Sequence, residues 1–343
     1  QKGLKIFGPS KEASQLEGSK VFSKQFFSRR QIPTANYQII DKSLEALTFL
    51  TAVNFPIVVK ADGIAAGKGV YVCKDLKEAQ GAIDDIMVKK LYGAAGDKVV
   101  IEECLVGQEA SLLAICDGKH FFVLPSAQDH KRIFDDDLGP NTGGMGSYSP
   151  APIVTAEVLD QIIKKIIEPA VRGMYQEGMP FKGVLYAGVM LTENGPYVLE
   201  FNTRFGDPET QCILPRLKSD LLEIMLAACD GRLNEMKVQW DQRPCVCVVM
   251  TSGGYPGKYQ QGYEIKGLSE ITDSDTIIFH AGTKNDGGNL VTAGGRVLGI
   301  TSVGNNLQKA IDKAYEAIDK IEFDHMFFRR DIGQKALKIT VQK

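Results

Sequence analysis

The sequence predicts an α/β fold of mixed, α+β character, with a smaller mixed β/α domain at its C-terminal end. Three observations lead there. Short β-branched and aromatic runs alternate with helical patterns of roughly 10–17 residues, which argues against a β-sandwich. Apolar and charged fractions of 44% and 24% are those of a soluble globular protein with a real core. Beyond Trp240 the texture changes to short strand-like runs and glycine turns, followed by one helical pattern at 306–320.

Residues 10–30 (SKEASQLEGSKVFSKQFFSRR) carry Leu16, Val21, Phe22 and Phe26 on a broad apolar side, so they read as a helix. Ser43 opens a second helix, SLEALTFLTAV, whose end is marked by Asn54 and Pro56. IVVKA (57–61) and GVYVC (69–73) read as a hairpin around a glycine-rich loop. The helix DLKEAQGAIDDIMVKKL follows, then the strands KVVIEEC (98–104), EASLLAIC (109–116) and HFFVLPSAQ (120–128). Residues 129–152, rich in Gly, Pro, Asp and Asn, read as a long loop, and loops of that length are usually functional. A helix is expected from Thr155 to about Glu177. Two strands, KGVLYAGVML and PYVLEFN, then meet at the turn Glu193-Asn194-Gly195, and a helix spans roughly 219–230. A domain boundary is expected near 234–242.

Forty basic against 42 acidic residues leave a net charge of −2, which gives no support to a polyanionic partner. No apolar run approaches the ~20 residues of a membrane span. The opening QKGLKIFGPSKEAS lacks the apolar core of a secretory signal. The seven cysteines (Cys73, Cys104, Cys116, Cys212, Cys229, Cys245 and Cys247) are odd in number and lack zinc-site spacing, as in a reduced cytosolic protein.

Three features bear on nucleotide chemistry. The first is KADGIAAGKGVYV (60–72). Walker A spacing fails, because Gly63 and Gly67 frame three residues and Gly69 stands where a metal-holding hydroxyl belongs. The dinucleotide fingerprint fails at Ala65 and Ala66. Lys60 and Lys68 can still reach phosphate oxygens while the glycines let backbone N–H groups approach. A plain glycine hairpin with solvated lysines fits the loop as well. The second is VLEFNTRFGDPETQ (198–211). Glu200 and Asn202, two apart on a strand, share a face and suit Mg²⁺, which takes few protein oxygens and completes its shell with phosphate and water. Arg204 falls on the same face if the strand continues, and Asp207 and Glu209 crowd the turn at Pro208. A solvated, charged strand end is the alternative. The third, VVIEECLVGQEAS (99–111), could offer backbone groups to a purine and a carboxylate to ribose; alone it fits an exposed acidic hairpin better.

Taken in order, a lysine-bearing glycine lid, an E-x-x-L hinge and an E-x-N-x-R strand resemble the ATP-grasp fold. RFGDPETQC (204–212), QDHKRIFDDDLGPNTGGMGSYSPAP (128–152) and TAGGRVLGIT (292–301) resemble the glycinamide ribonucleotide synthetase family, from about Phe7 to Leu337.

That resemblance implies an enzyme that joins glycine to 5-phosphoribosylamine in purine biosynthesis in the cytosol, splitting ATP to ADP and phosphate by way of glycyl phosphate. It implies ATP phosphates on Lys20 and Lys60 beneath a lid that includes Gly63, Gly67, Lys68 and Gly69. Glu103 and Leu105 would present backbone groups to adenine, Glu109 would hold the ribose, and Glu102 would belong to the same nucleotide site. Glu200 and Asn202 would hold Mg²⁺ or Mn²⁺. Arg204 would steady the acyl phosphate, with Asp207 and Glu209 at the glycine end. Asp129, Asn141, Thr142, Gly143, Gly144, Gly146 and Arg296 would hold the phosphoribosylamine, Arg296 also acting in catalysis. His130 is not assigned as a base. The strand YAGVM (186–190) lacks the extra metal-binding Glu of many ATP-grasp enzymes, as this family does.

The expected domains are residues 1–9 as the remnant of an N-terminal domain, 10–236 as the ATP-grasp domain with a lid at about 57–120, and 240–343 as the C-terminal domain. KIFGPS resembles the last strand of the family's N-terminal domain, so the chain reads as truncated. The resemblance also allows fusion to other purine-pathway domains in a longer chain, with small molecules as partners and neither nucleic acid nor membrane. The readings competing with it are an ATP-binding fragment without full activity and another ATP-grasp carboxylate–amine ligase.

Overall fold

The computed structural model describes residues 3–64 and 69–341, so Gly67 and Lys68 lie outside the described residues. Ser19 divides the helical pattern of residues 10–30. Its backbone is extended (φ −141°, ψ 116°), ending helix α1 (Gln15–Gly18) and capping helix α2 (Lys20–Arg30) through a hydrogen bond from the Phe22 N–H. The Ser19 hydroxyl also donates to Asp62 at 2.9 Å, and Asp62 accepts from the Val21 N–H at 3.1 Å. One expected helix is therefore two, and the break fastens the start of α2 to the next sheet.

That sheet is built from β1 (Tyr37–Ile40), β2 (Ile57–Ala61), β3 (Val70–Cys73) and β4 (Val99–Glu103), antiparallel in the order β1-β4-β2-β3. Helices α3 (Ser43–Leu50) and α4 (Leu76–Ile83) pack on it through Leu50, Ile83, Val59 and Val99. The expected lid began at 57 and ran to about 120. The observed sheet instead recruits β1 and ends at Glu103, because the next strand pairs elsewhere.

That next strand, β5 (Gln108–Asp117), carries β6 (Phe121–Val123) on one edge and β11 (Lys182–Thr192) on the other, with β12 (Gly195–Asn202) beyond. Pairing of β11 with β5 runs from Lys182↔Asp117 to Leu191↔Gln108. Side chains alternate along β11 as the pleat requires. Leu185, Ala187 and Val189 meet Phe26, Phe27, Ile162 and Ile166, while Val184 and Tyr186 meet Ile213, Ile224 and Ala228. The first set comes from α2 and the stretch that holds α5 (Ala156–Ile162) and α6 (Glu168–Gln176). The second comes from α7 (Glu209–Ile213) and α8 (Leu221–Asp230).

The stretch expected to be one long loop holds β7 (Gln128–Asp129), β8 (Arg132–Phe134), β9 (Leu138–Asn141) and β10 (Gly146–Ser149). The β8–β9 pair stands apart, but β7 and β10 continue the C-terminal sheet. That sheet also contains β13 (Cys245–Ser252), β14 (Thr276–His280), β17 (Arg296–Val303) and β18 (Met326–Phe327), in the order β14-β17-β13-β10-β7 with β18 on β13. The hairpin β15 (Thr283–Asp286) and β16 (Asn289–Thr292) lies beside it. Helix α9 (Leu307–Ile318) covers the sheet with Ala310, Ile311, Ala314 and Ile318, and α10 (Gln334–Val341) follows. Strands from both sides of residue 236 thus share one sheet, which the expected boundary did not anticipate. Polar loop chemistry hid β7 and β10: β7 pairs with β10, whose other partner, β13, lies about a hundred residues further along the chain.

Arg329 ties this sheet to the β8–β9 segment. It is 0% exposed, bidentate to Asp331 (Nε 2.7 Å, Nη2 2.6 Å), and bonded to Asp137 at 2.9 Å and the Arg132 carbonyl at 3.0 Å. All seven cysteines are free thiols. Among the described residues, no helix is long and apolar enough to cross a membrane.

Arg329→Met is expected to destabilise the fold by about 3 kcal/mol, since it strands the Asp331 carboxylate and leaves Asp137 with Lys335 as its counterion, as a shift in the urea midpoint will show. Burial raises the Asp331 carboxyl, but its bonds to Arg329 and Asp136 N–H outweigh that and lower it to about 2. The unfolded value is about 3.9, so this contribution is full above about pH 4 and fades as pH falls toward 2. The stability gap between wild type and Arg329→Met should narrow over that window.

Candidate active site

Helix α2 begins at the site and places Lys20 and Lys24 on one face, one turn apart. Lys60 comes from the end of β2. In the β2–β4 ladder Val58 faces Glu102 and Lys60 faces Val100, so Lys60 and Glu102 form a diagonal pair on one face. The Lys60 ammonium lies 2.9 Å and 3.0 Å from the two Glu102 oxygens and 3.3 Å from the Leu199 carbonyl. Lys24 reaches the same carboxylate at 3.1 Å. Lys20 approaches the Gly63 carbonyl at 3.4 Å, and burial lowers its pKa against the pull of Glu200.

These groups line a cavity of about 310 Å³ that also takes in Glu200, Asn202 and Arg204, with Phe27, Leu199 and Phe201 as its apolar wall. Glu200 and Asn202 reach it because β12 is bulged. Register passes from Gly188↔Glu200 to Val189↔Val198, which leaves Leu199 as the extra residue. Val198 and Phe201 can then both enter the core, while Glu200 and Asn202 share the face of Tyr186. Burial pushes the Glu200 carboxyl up, but Lys131, Lys60, Lys20 and a hydrogen bond from Asn202 outweigh it and lower the pKa. Among the described residues, no three His, Cys, Asp or Glu side chains converge as a metal cage. An ionised carboxylate and an amide oxygen on one open face instead suit a hard cation that takes the rest of its shell from phosphate and water.

A second cluster adjoins on the same sheet face. Glu209, 3% exposed, accepts from Ser111 at 2.9 Å and Tyr186 at 2.8 Å. Lys131 forms an ion pair with Glu109. Burial opposes the Lys131 ammonium, yet Asp129, Glu109 and Glu200 together raise its pKa. Burial pushes the Asp129 carboxyl up to about 7; Lys131 resists the rise, and Glu209 and Glu109 add to it.

The expected residues separate in informative ways. Lys20, Lys60, Gly63, Gly69, Glu102, Glu200, Asn202 and Arg204 share the cavity. Arg204 lies past the strand end, 3.4 Å from Glu17, rather than continuing the strand. Glu103 turns outward and accepts from the Asn36 N–H at 2.9 Å; Leu105 follows β4 in the turn toward β5. Asp207 and Glu209 part company, the first half-exposed and paired with Arg296 at 2.6 Å, the second buried as described.

Arg296 also donates to the Gly143 carbonyl at 2.7 Å, and the Gly143 N–H donates to the Tyr255 hydroxyl at 2.9 Å. Thr142 donates to the Lys131 carbonyl at 2.9 Å. Gly144 has φ +110°, and a Cβ there would lie 2.4 Å from Pro208, so only glycine lets this loop meet the turn at Asp207. Asn141 does not join them: it pairs with Arg132 and lines a separate cleft of about 580 Å³ against β3 and α4. Gly146 packs under β13, where a Cβ would be 2.6 Å from the Cys247 carbonyl. Burial pushes the His130 imidazole down to about 3, which leaves it neutral against Tyr148.

Sequence reasoning missed Lys24, Lys131 and Tyr255. Spacing of four from Lys20 could have found Lys24, and alternation from Asp129 could have found Lys131. Nothing local marks Tyr255.

Comparison with known proteins shows the family and the fold. The family model described as "Phosphoribosylglycinamide synthetase, ATP-grasp (A) domain" matches residues 18–210, and that for the C domain of the same synthetase matches 245–335. A phosphoribosylamine–glycine ligase of Allochromatium vinosum is 51% identical over 98% of this chain and 78% of its own length. One from Escherichia coli is 51% identical over 98% and 79%. The crystal structure of the Thermotoga maritima phosphoribosylamine–glycine ligase superposes with a TM-score of 0.87 at 36% identity, covering 96% of this chain and 82% of that one. Biotin carboxylase from Campylobacter jejuni, at 14% identity, shares the fold with a TM-score of 0.76 over 94% of this chain and 70% of its own. With both domain models matched and relatives at about half identity along nearly its whole length, the chain belongs to the phosphoribosylglycinamide synthetase family.

Proposed function

We propose that this ATP-dependent carbon–nitrogen ligase uses the α2–β2–β12 cavity to hold ATP while glycine is activated and joined to 5-phosphoribosylamine. One observation carries the reading: three elements distant in sequence bring Lys20, Lys60 and the Glu200–Asn202 pair to a single cavity. A glycine carboxylate is a poor acyl donor until one of its oxygens becomes a leaving group. In the proposed course it attacks the γ-phosphorus, ADP departs, and glycyl phosphate forms. The ribosylamine nitrogen then attacks the acyl carbon, phosphate leaves, and the nitrogen gives up a proton.

Lys20 and Lys60 offset phosphate charge, and Arg204 faces the transferring group from the strand end. Glu200 and Asn202 would hold Mg²⁺ or Mn²⁺, which supplies Lewis-acid neutralisation of the phosphoryl oxygens. Glu109 takes the ribose hydroxyls. Glu209, locked by Ser111 and Tyr186, presents fixed negative charge toward the glycine ammonium, with Asp129 beside it. Arg296, Thr142, Gly143 and Gly144 form the rim for the phosphoribosylamine. All partners in this reading are small molecules, and the reaction belongs in the cytosol.

Phosphate release should require ATP, glycine and phosphoribosylamine together. Formate in place of glycine should give none, and formate turnover would overturn the reading in favour of a different carboxylate ligase. Glu200→Ala should lower kcat by about 10² or more, with chelation doing the same to wild type and added Mg²⁺ or Mn²⁺ restoring it. Near-normal turnover by Glu200→Ala would remove β12 from the metal site. Arg296→Leu should raise KM for phosphoribosylamine by about tenfold while KM for ATP stays within about twofold. An equal rise in both would place Arg296 outside substrate recognition.

A further inference from the structure

Glu102 is a single carboxylate, 3% exposed, that faces two ammonium groups. Lys60 approaches it from β2 at 2.9 Å and Lys24 from α2 at 3.1 Å. Together the three side chains carry a net positive charge, and the surplus lies at the cavity wall. Lys24 is 3% exposed at its side chain against 8% for Lys60, so of the two it is the less available to a ligand. Its Nζ donates to Thr34 at 2.6 Å, Thr34 donates onward to the Val198 carbonyl at 2.8 Å, and the Tyr37 ring lies 5.5 Å away. Lys24 is thus fixed to β1 and to the bulged strand β12 while it grips Glu102.

We infer that Lys24 is a positioning residue for phosphoryl transfer: by taking a share of Glu102, it keeps Lys60 electrostatically uncommitted and directed at the nucleotide phosphates. This rests on the reading that the cavity holds ATP. Without the Lys24 charge, Glu102 has only Lys60 as a counterion and the pair becomes neutral. A neutral Lys60–Glu102 pair attracts phosphate less, and Lys60 must break its one strong partnership to donate elsewhere. A third lysine, Lys20, stands beyond this triad, with its ammonium on the Gly63 carbonyl and its stronger attraction to Glu200; among the described residues the ion pairs to Glu102 come from Lys24 and Lys60.

The triad is also sensitive to pH. Burial lowers the Lys24 pKa to about 8; Lys60 adds to the fall, and Glu102 and Glu103 oppose it. In the free protein Lys24 therefore loses its proton as pH rises through about 8, and the surplus charge goes with it.

The test compares wild type with Lys24→Met and Lys24→Arg, the fold being checked by thermal melting and MgATP affinity measured by calorimetry beside turnover. Lys24→Met should weaken MgATP binding and raise KM for ATP by about tenfold or more, with KM for glycine within about twofold. Lys24→Arg should recover most of the affinity. The wild-type kcat/KM for ATP should fall above about pH 8, and Lys24→Arg should carry that limb to higher pH, because a guanidinium stays charged. A folded Lys24→Met with unchanged MgATP affinity, or an arginine variant that keeps the limb near pH 8, would overturn the inference. Wild type that binds MgATP but releases no phosphate with both substrates would instead defeat the ligation reading, and the affinity comparison would still decide the role of Lys24.

Discussion

The antiparallel ladder of β5, β11 and β12 is the constraint on which the rest of the molecule depends. Its pairing sends every second side chain of β11 into one of two separate cores, so a slip of one residue would exchange them. The ladder also sets the chemistry, because the extra residue at Leu199 rephases β12 just before Glu200. Upstream of the bulge, Val198 serves the core beneath α2. Downstream, Phe201 serves that core, in edge-to-face contact with Phe27 at 5.2 Å, while its neighbours Glu200 and Asn202 look the other way.

Beside that face, where α2 and the β1–β4 sheet meet it, the protein gathers two clusters of opposite charge. Glu109, Asp129, Glu200 and Glu209 surround Lys131, while Lys20, Lys24 and Lys60 share Glu102 and Glu200. Glu200 joins the two clusters, its carboxyl staying low against burial among Lys131, Lys60 and Lys20. Such an arrangement is poised for ligands that carry both signs at once. A nucleotide with its cation and a zwitterionic amino acid would complete it.

Much of this was legible in the sequence where chemistry is local. The β2–β3 hairpin, the E-x-N spacing on β12 and the cap-to-cap helix α9 follow from composition and period over a few residues. Long-range pairings were not legible. β1 was overlooked because YQII is only four residues long and gains its strand character from β4, some sixty residues later. β7 and β10 hid inside a run of glycine, asparagine and proline for the same reason. At the site, Glu200 and Asn202 were correctly paired by alternation, but periodicity cannot foresee that Asn141 and Gly146 turn away from Gly143 and Gly144. Asn141 is turned by its hairpin with β8, and Gly146 by β13, which arrives from about a hundred residues further along the chain.

The interlock of β7 and β10 with β13 affects how the chain can be divided. A gene cut at the apparent linker near residue 236 would yield two products that each hold only part of this shared sheet. The C-terminal product would expose β13, whose eight residues are all buried in the intact protein, as a bare apolar edge. The other would carry β7 and β10 with no sheet to join. Bare edges of this kind invite pairing between copies, so the halves should complement each other when produced together and aggregate when produced apart.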